Sequence, residues 1–180
     1  MTKREKRKTR RTRRDPAPEP LTLDSEIGPL DVATVAEGYA RYTRALKSGA
    51  AKGLSDDDPD VVADDVFRRV MRGGPAAAAW ELVLEVLRRA PDDELGFFAA
   101  GPLEDAVKRF GAELIGRIEA EARRDARFRW ALGCIWLSRG VLPDTVLDRV
   151  VAASGGEILV LGRLDELTPP NAPKKRRARH

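Results

Sequence analysis

Trp80-Glu-Leu-Val-Leu-Glu-Val-Leu87, Pro91-Asp-Asp-Glu-Leu95, Gly101-Pro-Leu-Glu-Asp105 and Phe128-Arg-Trp-Ala-Leu-Gly-Cys-Ile-Trp136 are the segments whose reading decides the fold. Between Trp80 and Trp136 lie all three tryptophans, the one cysteine and four of the five phenylalanines, so most of the bulky apolar material is concentrated there. Trp80, Val83, Leu84 and Leu87 recur at helical spacing after Pro75, and Pro91 disfavours helical geometry in the residue before it. Asp92 or Asp93 caps a short helix bearing Leu95, Phe97 and Phe98, with an expected end at a left-handed Gly101. Pro102 then opens a helix burying Leu103, Ala106, Val107 and Phe110, and Gly111 is expected to break or kink it before Leu114, Ile115 and Ile118. Asp125 restarts the chain into a helix carrying Phe128, Ala131, Leu132, Ile135 and Trp136 as far as Gly140.

The same reading extends in both directions. Asp31 is an N-cap candidate ahead of Val32, Val35, Tyr39, Tyr42 and Leu46, a pattern stopped near Ser48–Gly49. Asp58, Pro59 and Asp60 form a dense start signal for a helix burying Val62, Val66, Val70 and Met71 before Gly73–Gly74. Pro143 and Asp144 begin the last helix, which ends at Gly155–Gly156. Glu157–Leu164 is a β-leaning apolar run with no evident partner strand, expected either to lie extended on the helices or to await another chain. The architecture expected is therefore all-α: a compact stack of seven or eight short antiparallel helices over residues 21–165, HEAT-like in outline but without self-similarity at a fixed period.

Charge is segregated. Residues 1–19 carry nine Lys/Arg against Glu5, Asp15 and Glu19, and residues 174–180 carry five Lys/Arg and no acid. Residues 20–173 then hold 19 basic and 26 acidic side chains, so an acidic body lies between two basic ends although the net charge is +4. Neither the arm (1–20) nor the tail (166–180) has apolar periodicity, and both are expected to be disordered. The basic start is followed by no apolar h-region, no apolar run is long enough to span a membrane, and a single cysteine fits a reducing cytoplasm.

Laid out together, Trp80-Glu81-Leu82, the Gly101-Pro102-Leu103-Glu104-Asp105 box, Gly111 and the closing Phe128…Trp136 run resemble a bacterial family of unknown function, over roughly Glu37 to Trp136. The resemblance implies a small all-α domain and brings no activity with it. The box has a ready structural reading, in which Glu104 and Asp105 complement a helix dipole. The functional alternative is an acidic site for a cation or a general base.

Several chemistries are excluded inside the fold. The one histidine, His180, is terminal, which removes histidine-based triads and metal sites, and no CxxC pair, P-loop or GxGxxG motif is present. Asp56-Asp57-Asp58 lacks the alternation, glycine and glutamate of a calcium loop. Cys134, between Leu132 and Ile135, reads as a small core residue. No cofactor or metal is expected. Trp80 and Trp136 fall on apolar stripes, whereas Trp130 lies off its stripe between Arg127 and Arg129 and is the candidate aromatic at a protein-partner surface. Arg10, Arg11, Arg13, Arg14, Lys174, Lys175, Arg176 and Arg177 are the candidate phosphate contacts, opposed by the acidic body and by the lack of aromatics for base stacking. Attachment to an anionic membrane surface is disfavoured by the absence of an apolar anchor. The leading expectation is a non-enzymatic helical module that binds a protein, followed by a nucleic-acid-associated protein using its basic ends, and then a carboxylate enzyme at Glu104 and Asp105.

Overall fold

The computed structural model describes residues 21–25, 28–156 and 158–161. The basic arm and tail, with the disorder expected of them, lie outside the described residues.

The chain enters through a two-residue antiparallel ladder, β1 (Thr22–Leu23) on β2 (Leu30–Asp31), which buries Leu23. Asp31 caps α1 (Val32–Ser48) by accepting the Thr34 N–H at 2.8 Å. Gly49, at φ +78°, ends it with its N–H on the Leu46 carbonyl. Asp58 caps α2 (Pro59–Gly73) through the Asp60 N–H at 2.9 Å, with Pro59 at the first helical position. The closest approach of α1 and α2 falls at Gly38, where a Cβ would stand 2.4 Å from the Ala63 Cβ. Beside it, Arg41 forks onto the Asp60 carboxylate, with Nε 2.9 and 3.0 Å from its two oxygens. Tyr39 stacks on Phe67 with centroids 3.8 Å apart. Leu46, expected on the buried stripe, is exposed instead.

Helix α3 (Ala76–Arg89) is the centre of the core. Trp80, Leu82, Val83, Leu84, Val86 and Leu87 are all buried on it, and it packs against α1, α2 and α5. Its polar face is reduced to a stripe carrying Glu81, Glu85, Arg88 and Arg89, which make ion pairs at the surface. Trp80 meets Phe128 edge-on at 5.6 Å.

The expected breaks at Gly101 and Gly111 do not occur. Helix α4 (Asp92–Phe98), a π turn (Ala99–Leu103) and α5 (Glu104–Arg124) form one unbroken helical run. Pro102 has no N–H to return to Phe98, and its ring crowds that carbonyl, so the helix widens instead of ending. The Glu104 N–H reaches back five residues to the Ala99 carbonyl. Gly101 accordingly has no positive φ and ends nothing. Gly111 sits inside α5 and is buried because Leu142 lies over it: a Cβ there would be 3.1 Å from Leu142 Cδ2. The described residues therefore hold six separate helical runs, not seven or eight, completed by α6 (Ala126–Gly133) and α7 (Asp144–Ala153).

The helix expected to reach Gly140 stops at Gly133. Trp136–Ser138 is instead a strand, β3, paired in parallel with β4 (Leu159–Leu161) in the register Trp136↔Leu159, Leu137↔Val160, Ser138↔Leu161. The β-leaning run after Gly156 thus finds its partner within the same chain. Period-two alternation puts Leu137 inside and Trp136 outside, where a continued helix would have buried Trp136. α7 crosses back over α5, held by Arg149 on Glu119 at 2.7 and 2.8 Å.

Candidate functional site

Glu104 and Asp105 are neighbours in sequence, but successive positions on a helix point about 100° apart. Glu104 turns towards β3. Its Oε2 accepts the Trp136 backbone N–H at 2.8 Å, its other oxygen meets Lys108 Nζ, and only 14% of its side chain is exposed. One carboxylate oxygen thus fastens the box to the start of the strand, and the other is engaged by Lys108 one turn along the same helix. Asp105 turns the other way, into a small cavity of about 120 Å³ lined by Tyr39, Phe67, Arg68, Met71 and Arg72. Partial burial there pushes its carboxyl up from the usual range; Lys108 pulls it down and Glu104 pushes it up further. Burial likewise raises the Tyr39 hydroxyl. The two carboxylates do not converge on one point, as a two-acid reaction centre requires. Among the described residues no group of three or more His, Cys, Asp or Glu side chains is placed to hold a metal ion.

Arg127, Arg129 and Trp130 also part company: Arg129 lies on a different face from the other two, and the long Arg127 side chain is drawn away from Trp130. Arg127 reaches back to α3: its guanidinium donates to the Leu87 and Ala90 carbonyls, and Nε meets Asp92 Oδ1 at 3.1 Å. It satisfies the carbonyls that a helix C-terminus leaves open, which is a structural task. Asp125 holds that turn by accepting the Arg127 N–H at 2.7 Å. Arg129 points to the groove between α5 and α7. Trp130 is half exposed and lies over α4, where a Cβ on Gly96 would be 3.6 Å from its ring and 3.9 Å from Cys134 Sγ. Cys134, expected in the core, is half-buried and packs against the edge of the core, its thiol 3.5 Å from the Trp130 carbonyl.

Sequence reasoning missed two members of this surface. Phe97 is 49% exposed and Trp136 53%, alongside Trp130 at 50%. Phe97 is next to the glycine under Trp130, meets Phe98 edge-on and has Lys47 Nζ 4.9 Å from its ring centroid. Trp136 is tied by its own backbone to Glu104 on the far side of the π turn. The three aromatics thus stand on segments that each adjoin the α4–π turn–α5 run: α4 is its first part, α6 packs on the π turn and α5, and β3 packs on α5. The sequence around Trp136, Ile135-Trp136-Leu137, is a short continuous apolar run whose period does not separate strand from helix. Phe97 carried no signal either, because either of two adjacent phenylalanines fits the stripe.

Arg10, Arg11, Arg13, Arg14, Lys174, Lys175, Arg176 and Arg177 lie outside the described residues. No helix among the described residues is long and apolar enough to cross a membrane. The model of a family described as a family of unknown function (DUF6869) matches residues 55–158, more than half of the chain. The match takes in β3 and α7, beyond the Trp136 limit expected from the motifs, and leaves out α1. No curated protein and no solved structure matches the chain.

Proposed function

The chain belongs to the family of unknown function DUF6869, and we propose that it is a non-enzymatic binding module that engages a protein partner through the face carrying Phe97, Trp130 and Trp136. The supporting observation is the placement of these three aromatics, each about half exposed, around one helical run while the rest of the large apolar set is mostly buried. Isolated exposed apolar residues need no explanation, but three half-exposed aromatics around one helical run do. Covering the exposed half of each would contribute roughly 1 kcal/mol per ring. Tryptophan and phenylalanine are also enriched where partners meet. Lys47 over Phe97 favours a partner that brings an acidic group to the edge of this face. Affinity capture from the native host, comparing the full chain with W130A/W136A, tests the reading. A partner held by the first and lost by the second, at equal melting temperature, supports it. A partner held equally by both refutes it.

A second reading, association with nucleic acid, is supported by the separation of the basic ends from the acidic body. Arg10, Arg11, Arg13, Arg14 and Lys174, Lys175, Arg176, Arg177 would then supply sequence-blind affinity that falls steeply with salt. Binding of a mixed oligonucleotide at two salt concentrations separates the readings: no binding at low salt removes the second.

A further inference from the structure

Helices α5 and α7 do not close on each other along their whole length. Past the Arg149–Glu119 pair they leave a groove of about 380 Å³, open to solvent, with Arg123, Arg129 and Arg149 on its walls and Ala122 and Ala152 among its small lining residues. Most of the described arginines are spent on ion pairs. Among the described residues Arg123 and Arg129 make no ion pair, Glu119 being paired with Arg149 and attracting Arg123 only at longer range. Arg149 shows what the groove is shaped to hold: its Nε and Nη2 grip the two oxygens of Glu119 side by side. That is the fork geometry guanidinium groups use for carboxylate and phosphate alike. Three arginines against one glutamate leave the groove with two uncompensated positive charges. One carboxylate would neutralise only half of that, whereas a terminal phosphate or a pyrophosphate carries about two negative charges or more near neutral pH.

From this arrangement we infer that the α5–α7 groove is a binding site for a phosphate monoester or pyrophosphate group, held by Arg123 and Arg129 and contested at Arg149 by Glu119. Glu119 is the internal competitor, occupying with its own carboxylate the fork that a phosphate oxygen pair would take. The small Ala122 and Ala152 side chains keep the space between the arginines open. The inference does not depend on the aromatic face, because none of Phe97, Trp130 and Trp136 lines this groove.

The test is titration of the full chain at low salt with inorganic pyrophosphate, with a nucleoside monophosphate and with a single-stranded oligonucleotide. Losing a charged hydrogen-bond donor weakens binding by about tenfold or more, so R123A and R129A should each weaken pyrophosphate binding to that extent. E119Q removes the competitor and should tighten it, the opposite of what a merely structural contact would do. Tighter binding of the monophosphate than of pyrophosphate would identify the nucleoside as the source of the group, and the reverse would identify free phosphates. The inference fails if pyrophosphate does not bind at low salt, if R123A and R129A bind it as the parent does, or if E119Q weakens it. It also fails if only the oligonucleotide binds and does so independently of both arginines, which would assign the affinity to the basic ends. Circular dichroism melting of each variant confirms that the exposed substitutions leave the fold intact.

Discussion

The backbone N–H of Trp136 donates to the Glu104 carboxylate across 2.8 Å, joining the helical run after the π turn to the first residue of β3. The most distinctive motif in the sequence is thus a clasp between two elements. Pro102 widens the helix, Glu104 fastens the strand, and the indole of Trp136 is left facing solvent.

Removing that clasp should cost stability. Glu104→Ala strands a strand-end N–H and frees Lys108 from its partner, with a loss of about 1–3 kcal/mol. Glu104→Gln keeps an oxygen for the Trp136 N–H and should lose clearly less. Urea unfolding of the two variants measures the difference, and equal losses would mean that charge alone matters at this site.

Arg127 makes a second clasp, from α6 to the end of α3. Arg127→Ala leaves the Leu87 and Ala90 carbonyls without these donors and should also destabilise the fold by about 1–3 kcal/mol. Lysine has one nitrogen where arginine has a fork, so Arg127→Lys should recover only part of the loss. Asp92→Ala should change little, because that carboxylate is almost fully exposed. Melting curves for the three variants give the order.

Two glycines should respond in opposite directions. Gly38→Ala places a methyl 2.4 Å from Ala63 Cβ and must push α1 from α2, costing about 1–3 kcal/mol. Gly116, in the interior of α5, has nothing within 4 Å of a Cβ, so Gly116→Ala should stabilise by roughly 0.5–1 kcal/mol. For a domain of this size each kcal/mol moves Tm by about 2–4 °C.

The raised carboxyl of Asp105 has a signed consequence for pH. Its folded pKa lies above the unfolded value, so the native state binds the extra proton in the interval between them. Its relative contribution is then most favourable below the unfolded value and is lost as pH rises through the folded one. Asp105→Asn should flatten the stability profile across that interval and be more stable than the parent at neutral pH. A profile unchanged by the substitution would show that the Tyr39–Phe67 cavity does not disfavour the charge.

Helix starts were readable because their signals are local. Asp31, Asp58 and Asp125 each cap the helix that follows, and Trp80 is buried as its spacing implies. Two errors fell where local preference was overruled by a contact distant in sequence, and a third where a local geometry was not anticipated. Gly111 tolerates a helix interior because Leu142 fills the room above it. Residues 136–138 leave the helix because 159–161 offer a ladder. Gly101-Pro102 reads as a stop and a start, yet a π turn lets the run continue. The candidate site suffered in the same way: Arg127, Arg129 and Trp130 look like one patch in the sequence, whereas the fold sends them to an α3 end, a groove and an aromatic face.

Amide hydrogen exchange at Trp136 tests the account most directly, because the clasp that orients the aromatic face is one backbone hydrogen bond. The Trp136 amide should be protected in the parent chain and should exchange freely in Glu104→Ala, while the amides of α5 stay protected in both. Fast exchange at Trp136 in the parent, or protection that survives the loss of Glu104, would contradict it.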